Sequence, residues 1–355
     1  MSELFRKALY TELFNINLFE EEEYKNVSRY DNLDIAHLSE NTKEKVKTTL
    51  FNRYPQDQCT SLRSAYATYC NLDKDEVIAT SGTEQSIRVI CDTFMDTSDN
   101  LIAINVGNDR LGKIIYTIKC NFSVIDALNK DGEIDEQVIV DFANRSKSKI
   151  IFLSSLCHLI GIRLNKNQIE KILELTHCML VIDEAYIEFS GGSVVELIRK
   201  YDKLIVLRTM SNAFALPAIR LGFILANRDT IKYLTSMKPV YNICTVTQAI
   251  AEEALKNENR MMSFIEYIKS EKEFIQTELE QGSTATFCEV DADIFGLVLP
   301  EDMAHCLSNF MNKLNENNIA YLMLSEDSLL CYLGDNEYNK ILTTIIKEVY
   351  HNEEK

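Results

Sequence analysis

Residues 204–227 read LIVLRTMSNAFALPAIRLGFILAN. The leucine and β-branched run at Leu204–Leu207 predicts a buried strand. A small polar turn follows from Arg208 to Asn212, and Arg220 leads into a second apolar run. Two arginines and a serine in a turn held between two strands are the layout in which an α/β protein holds an anionic group, because a guanidinium can give two parallel N–H bonds to one anion.

Outward from this stretch, apolar runs at 101–105, 122–128, 149–155, 179–185, 204–210 and 222–227 alternate with helical patterns such as Ile169, Ile172 and Leu173. Such alternation predicts a mostly parallel sheet covered on both faces, with ligands outside the strand ends. Asp183-Glu184-Ala185-Tyr186 stands at one such end. Upstream, Ser81-Gly82-Thr83 joins a short apolar run to a helix whose Ile87, Ile90, Cys91 and Phe94 share one face. Free N–H groups there suit a phosphate, although a Gly-Thr helix start with no ligand has the same look.

Residues 1–50 read as a helical, acidic arm, with Glu20 to Glu23 at a solvated helix end. Arg53-Tyr54-Pro55 then forces a turn. Beyond residue 228, helices at 230–237, 245–256 and 260–280 precede short strands at 295–299, 320–324 and 329–333 and a final helix from Asn336, which predicts a smaller α+β lobe. The expected division is 1–50 for the arm and part of the small domain, 51–250 for the large domain and 251–355 for the small one.

With 355 residues, of which 46% are hydrophobic, the chain can bury a large core. Its 54 acidic against 37 basic residues give a net charge of −17, which argues against nucleic acid or an anionic membrane as partner. Ten cysteines without a C-x-x-C pair read as reduced, buried thiols. With no signal-peptide pattern and no apolar run of spanning length, a cytoplasmic location is expected, and no metal-ligand spacing is present.

The ordered set Glu40-Asn41, Arg53-Tyr54-Pro55, Ser81-Gly82-Thr83-Glu84, Asp183-Glu184-Ala185-Tyr186, Leu207-Arg208-Thr-Met-Ser211, Arg220-Leu-Gly222 and Pro239-Val-Tyr241-Asn242 resembles the aspartate-aminotransferase superfamily that uses pyridoxal 5'-phosphate (PLP), most of all the histidinol-phosphate aminotransferases. The resemblance implies fold type I: a mostly parallel, seven-stranded-type sheet between helices, plus a smaller α+β domain. It also implies a homodimer in which Tyr54 reaches the neighbouring subunit's phosphate. Asp183 would face the pyridine nitrogen and Tyr186 the ring's phenolic oxygen. Gly82, Thr83, Ser211 and Arg220 would hold the phosphate.

Four positions depart from that pattern. Asn212 stands where the family has the lysine that forms the Schiff base and shuttles the proton, and an amide can do neither. The family's Asn-Asn-Pro-Thr-Gly loop aligns with Cys157-His158-Leu159-Ile160-Gly161. His158 there is either a new base or ligand, or a filler in a loop that lost its task. The ring-stacking aromatic aligns best with Asp109, and residues 318–334 contain no Arg or Lys to clamp a substrate carboxylate or phosphate. The expectation is a protein degenerate for transamination, keeping a pocket for non-covalent PLP or a small phosphorylated or amino-acid-like ligand and acting as a binding or partner subunit. The alternative is an enzyme of altered biosynthetic chemistry on an amino-acid-derived substrate, using non-covalent PLP, its amine form or no cofactor.

Overall fold

Seven strands form the sheet that carries the candidate site: β1 (Val77–Thr80), β2 (Asn100–Ile104), β3 (Asn121–Ile125), β4 (Ile150–Ser154), β5 (Met179–Asp183), β6 (Leu204–Thr209) and β7 (Gly222–Ala226). Their order is β1-β7-β6-β5-β4-β2-β3. β7 runs antiparallel to both neighbours, and the other pairs are parallel. Every residue of β6 and β7 is buried, as near-continuous apolar runs covered on both faces require. Because β7 is the reversed strand, β1, β5 and β6 all point the same way. Their C-terminal residues Thr80, Asp183 and Thr209 therefore share one sheet edge with Gly222 at the start of β7, which pairs with both Thr80 and Thr209.

This computed structural model describes residues 30, 33, 35, 37–104, 120–127, 129, 134–154, 164–300, 305–323 and 327–351. Asp109, His158 and Glu20 to Glu23 lie outside them. The longer helices described in the same span, or continuing from it, are α1 (Glu40–Lys47), α2 (Thr60–Tyr69), α3 (Gly82–Phe94), α4 (Glu136–Ser146), α5 (Lys166–Leu175), α6 (Arg228–Met237), α7 (Thr245–Lys256) and α8 (Glu258–Gly282). The predicted apolar face of α3 holds: Ile87, Ile90 and Cys91 are buried against Leu207 of β6 and Ile224 of β7, with Phe94 packed beside them. Helix starts follow side-chain chemistry, with Asn165 and Gln168 forming a capping box on α5 and Asn227 capping α6 through Thr230.

The chain divides into two compact units, one of Asp34–Glu266 and the other containing Tyr267–Lys355. The cut falls inside the continuous α8 instead of at 250/251. Residues 37–50 belong to the larger unit, where Lys45 of α1 pairs with Glu253 of α7 at 2.8 Å. In the smaller unit, β8 (Thr286–Glu289), β9 (Ile294–Val298), β10 (Tyr321–Met323) and β11 (Ser328–Tyr332) form an antiparallel sheet in the order β10-β11-β9-β8. Two helices, α9 (Leu307–Glu316) and α10 (Asn336–Val349), complete it. β8 was not expected, because its short TFCE sequence is mostly exposed at a sheet edge and shows no apolar run.

Two further readings change. Arg208 and Thr209 lie within β6, so the polar turn begins later than their polarity suggested. The described cysteines are free thiols, yet Cys244 and Cys288 are exposed, so buried filler does not account for all of them. No described helix is long and apolar enough to cross a membrane.

The turn after β6 closes through Ala215 N–H donating to the Asn212 carbonyl at 2.8 Å, with Ala215 in the left-handed region at φ 51°. A Cβ there costs about 1–2 kcal/mol, while a glycine adds about 0.4–1 kcal/mol of unfolded-state freedom. Ala215→Gly is therefore expected to raise stability by roughly 0.5–1 kcal/mol, read as a higher urea midpoint at unchanged slope. A lower midpoint would mean that packing of the methyl outweighs backbone strain.

Candidate functional site

At the shared strand edge, three segments converge too closely for side chains. Gly82, the first residue of α3, has φ +78°, and a Cβ on it would lie 2.8 Å from Arg220 Nη2. A Cβ on Gly222 would meet the Gly82 carbonyl carbon at 2.8 Å and Thr83 N at 3.0 Å. Glycine at both positions is what lets the guanidinium sit over the start of α3. No side chain caps that helix. Gln85 Oε1 accepts the Ser81 N–H at 2.8 Å, whereas the backbone N–H groups of Gly82 and Thr83 have no acceptor among the described residues. Arg220 is exposed and held at φ 49°. Its Nη1 donates to the Pro217 carbonyl at 3.3 Å, and no carboxylate of the described residues pairs with it. Ser211 Oγ lies 3.0 Å from Thr209 Oγ1, which accepts the Ser211 N–H and donates to the Leu221 carbonyl. Unpaired N–H groups, a helix start and an unpaired cation together suit an oxyanion.

One strand over, about 4.8 Å away, Asp183 ends β5. Its Oδ1 accepts the Ala185 N–H at 3.1 Å. The residue is half-buried, but its carboxyl is enclosed, and that burial, helped by the neighbouring charge of Glu184 and opposed by the Ala185 bond, pushes its pKa up to about 7. Asn212 Nδ2 donates to the Ala185 carbonyl at 2.9 Å, so the residue after Ser211 is tied to the loop that carries Asp183. Tyr186 follows in the same loop, half-buried, its ring 6.4 Å from that of Phe189.

Arg208 overturns part of the anion-site expectation. Its side chain is buried, with Nε donating to Glu184 at 2.8 Å, Nη1 to Glu188 at 3.0 Å and Nη2 to Ser193 Oγ at 2.9 Å. Glu184 also accepts the Val194 N–H and the Ser193 hydroxyl, both at 2.8 Å. Burial pulls the guanidinium's pKa down, but the surrounding carboxylates outweigh it and keep Arg208 charged, while burial raises Glu188 above the usual carboxylate range. The charge of Arg208 is thus spent inside the protein, leaving Arg220 as the cation of that stretch that is open to a ligand. A charged residue in an apolar strand must find buried partners, and that was the signal in the sequence for this network.

A second support was not foreseen. Asn242 Nδ2 donates to the Ala79 carbonyl at 3.2 Å and to Gln85 Oε1 at 2.7 Å, while its Oδ1 accepts from Lys238 at 3.0 Å. Lys238 also donates to the Pro239 carbonyl at 2.9 Å and lies 3.4 Å from Asp57. Its ammonium is therefore committed and offers no replacement for an amine at position 212. Tyr54 stacks on Tyr241 at 4.8 Å between ring centroids and is 82% exposed.

The structure therefore brings Gly82, Thr83 and Arg220 into one cradle, places Ser211 beside Thr209 and joins Asn212 to the Asp183–Tyr186 loop. Tyr54 stands on the surface. Neither β10 nor β11 carries an Arg or Lys. Among the described residues no group of His, Cys, Asp and Glu could hold a metal.

The family model for aminotransferase class I and II matches residues 25–297. The chain is similar to histidinol-phosphate aminotransferase of Clostridium novyi (strain NT), with 31% identity over 248 residues and 69% of each chain covered. It is also similar to histidinol-phosphate aminotransferase 2 of Idiomarina loihiensis, with 33% identity over 268 residues, 73% of this chain and 74% of that one. A crystal structure of histidinol-phosphate aminotransferase from Sinorhizobium meliloti in complex with pyridoxal-5'-phosphate shares the fold, with a TM-score of 0.79, 12% identity, and 91% of this chain and 90% of that one covered.

Two outcomes follow from the geometry. Removing Arg208 leaves buried carboxylates uncompensated, so Arg208→Met should destabilise the protein by about 3–5 kcal/mol. Adding Glu184→Gln and Glu188→Gln should recover part of that in urea unfolding, and absence of any recovery would mean that lost packing causes the damage. For Asp183, the folded pKa of about 7 exceeds the unfolded value of about 3.9. The native state therefore binds the extra proton, and stability falls as pH rises through that window. Asp183→Asn escapes this loss, so its melting temperature relative to wild type should climb from pH 5.5 to pH 8. A constant difference would place the carboxyl in a better solvated setting.

Proposed function

Because the chain belongs to the class I and II aminotransferases, we propose that it is a histidinol-phosphate-aminotransferase-like protein that keeps the phosphate pocket of a PLP protein without ordinary transamination. The observation that carries this is Asn212: its amide nitrogen is hydrogen-bonded to the Ala185 carbonyl, and it has no basic nitrogen to bind an aldehyde or move a proton. The cradle fits a phosphorylated cofactor by its donors: the Gly82 and Thr83 N–H groups at the start of α3 have no acceptor among the described residues, and Arg220 has no carboxylate partner there. Gly82 and Thr83 would give backbone N–H groups to the phosphate, Ser211 its hydroxyl and Arg220 its guanidinium. Asp183 would hold the proton on the ring nitrogen and Tyr186 would donate to the phenolic oxygen, while Asp109 and His158 would take the places of the stacking ring and the loop asparagine. Bound PLP supplies a ring that withdraws electrons from an attached amino acid. Without a lysine at 212, the described residues of the site would bind and orient that ring but hold no proton for the α-carbon.

A role as a binding or partner subunit in the cytoplasm accords with a retained pocket and a lost amine. Altered chemistry on an amino-acid-derived ligand is favoured by one feature, the enclosed Asp183 carboxyl, which a scaffold alone would have no use for. Assembly as a homodimer is supported by exposed Leu50, Phe51, Tyr54, Val240 and Tyr241, an apolar group of the kind that a second subunit covers.

Three measurements test this reading. Light scattering at micromolar concentration should give twice the chain mass, and a monomer would remove Tyr54 from the site. Calorimetry should show PLP and inorganic phosphate binding the wild type, with both weakened in Arg220→Ala. No binding at millimolar ligand would make the pocket vestigial. Asn212→Lys should not restore turnover of histidinol phosphate, because a missing charge-assisted clamp costs about 1.5–3 kcal/mol. Family-typical turnover in that variant would refute the loss of the clamp.

A further inference from the structure

Asn242, in the connection between α6 and α7, has both N–H groups and the carbonyl oxygen of its amide in use. Oδ1 accepts from the Lys238 ammonium at 3.0 Å, while Nδ2 donates to the Ala79 carbonyl at 3.2 Å and to Gln85 Oε1 at 2.7 Å. Its orientation is set by groups of fixed polarity, since an ammonium can only donate and a backbone carbonyl can only accept. Gln85 Oε1 also takes the Ser81 N–H at 2.8 Å, so two donors hold one acceptor at the start of α3. The Ser81 bond is the backward half of a capping box, made here from one residue further along the helix.

We propose that Asn242 is a positioning residue for the anion cradle, acting through Gln85. It keeps the Ser81 N–H occupied and the turn before α3 in the conformation that leaves the next two N–H groups, of Gly82 and Thr83, open to an oxyanion. This rests on the reading of that cradle as a phosphate site. A half-buried glutamine has rotamers that lead away from the helix start into water, and the second bond, from Asn242, holds it in the one that caps Ser81. Among the described residues Asn242 makes no hydrogen bond to Gly82, Thr83 or Arg220, so its effect on an anion has to pass through that turn. The brace is itself anchored. Asp57 Oδ1 accepts the Tyr241 N–H at 2.8 Å and lies 3.4 Å from Lys238 Nζ, which ties the segment to the turn that follows Tyr54. Tyr241 is held in the left-handed region at φ 56°, a conformation that persists where surrounding contacts over-determine it.

The experiment combines calorimetric titration of inorganic phosphate with hydrogen exchange at the Ser81 amide. It uses the full-length wild type, Asn242→Leu, Gln85→Met and the double variant, at a temperature where all are folded. Asn242→Leu keeps the size of the side chain and removes its hydrogen bonds. It should speed Ser81 exchange and weaken phosphate by about three- to tenfold, the factor that one hydrogen bond of ordinary net strength is worth. Gln85→Met should do both, and the double variant should bind no more weakly than Gln85→Met alone, because the asparagine then has nothing to act through. A purely structural contribution would lower the urea midpoint and leave the affinity of the folded protein as it was. If Asn242→Leu fails to fold, Asn242→Asp replaces it: the carboxylate keeps the Lys238 contact and loses both donors. Its added charge acts with or without Gln85, so the comparison still isolates what passes through the glutamine. Unchanged phosphate affinity in the folded position-242 variant, unchanged Ser81 exchange, or losses that simply add would overturn the proposal. Phosphate binding that no variant alters removes this inference alone, and a wild type that binds no phosphate at millimolar concentration removes the pocket reading with it.

Discussion

The geometry of the site rests on Arg208 buried between Glu184 and Glu188. Its guanidinium reaches from β6 to the segment just beyond β5, so the ends of two parallel strands are locked by charge as well as by the ladder between them. Removing any one member would leave an uncompensated charge out of water, which makes the arrangement all-or-none. The loop holding Asp183 and Tyr186 is fixed on one side by this network. On the other, the Asn212 amide reaches the same loop through the Ala185 carbonyl.

From that frame, topology does the rest. Reversal of β7 brings Gly222 beside both Thr80 and Thr209, and the absence of side chains at Gly82 and Gly222 lets Arg220 approach the first turn of α3. A chain of net charge −17 keeps one guanidinium free of carboxylates where three segments meet. Local geometry, and not overall charge, therefore sets the sign of the pocket, since exposed charges farther away than about 8–10 Å are largely screened.

The fold was legible because its central strands are buried and read as largely apolar runs, as in β5, β6 and β7. β8 was not, since an exposed four-residue edge strand has no such signature. Among the site residues, Gly82, Thr83 and Arg220 were legible from the chemistry of a glycine loop feeding a helix and from a turn followed by an arginine. The same logic misassigned Arg208, because its polarity was read as the start of a turn and not as a charge inside the buried strand β6, which has to find buried partners. Nothing local could place Glu184, Glu188 and Ser193 around it, or join Asn242 to Gln85 across more than 150 positions. Such contacts are set by how strands order in the sheet, and the sequence pattern leaves that order open.

What Asn212 changes is the division of labour within the pocket. In the proposed reading anion binding would depend on backbone N–H groups and a guanidinium, none of which involves position 212, so it would survive the loss of an amine. Proton transfer depends on one basic nitrogen at one place and cannot be shared among neighbours. In that reading Asp183 does not fill that role: an enclosed carboxyl with a pKa of about 7 can exchange a proton near neutrality, yet it sits at the end of β5, where it would face the ring nitrogen of a pyridine ligand and not the reacting carbon. A chain with this pattern would, in the proposed reading, still bind an anion, while its capacity for acid–base work at the substrate would depend on whatever the ligand itself brings into the site.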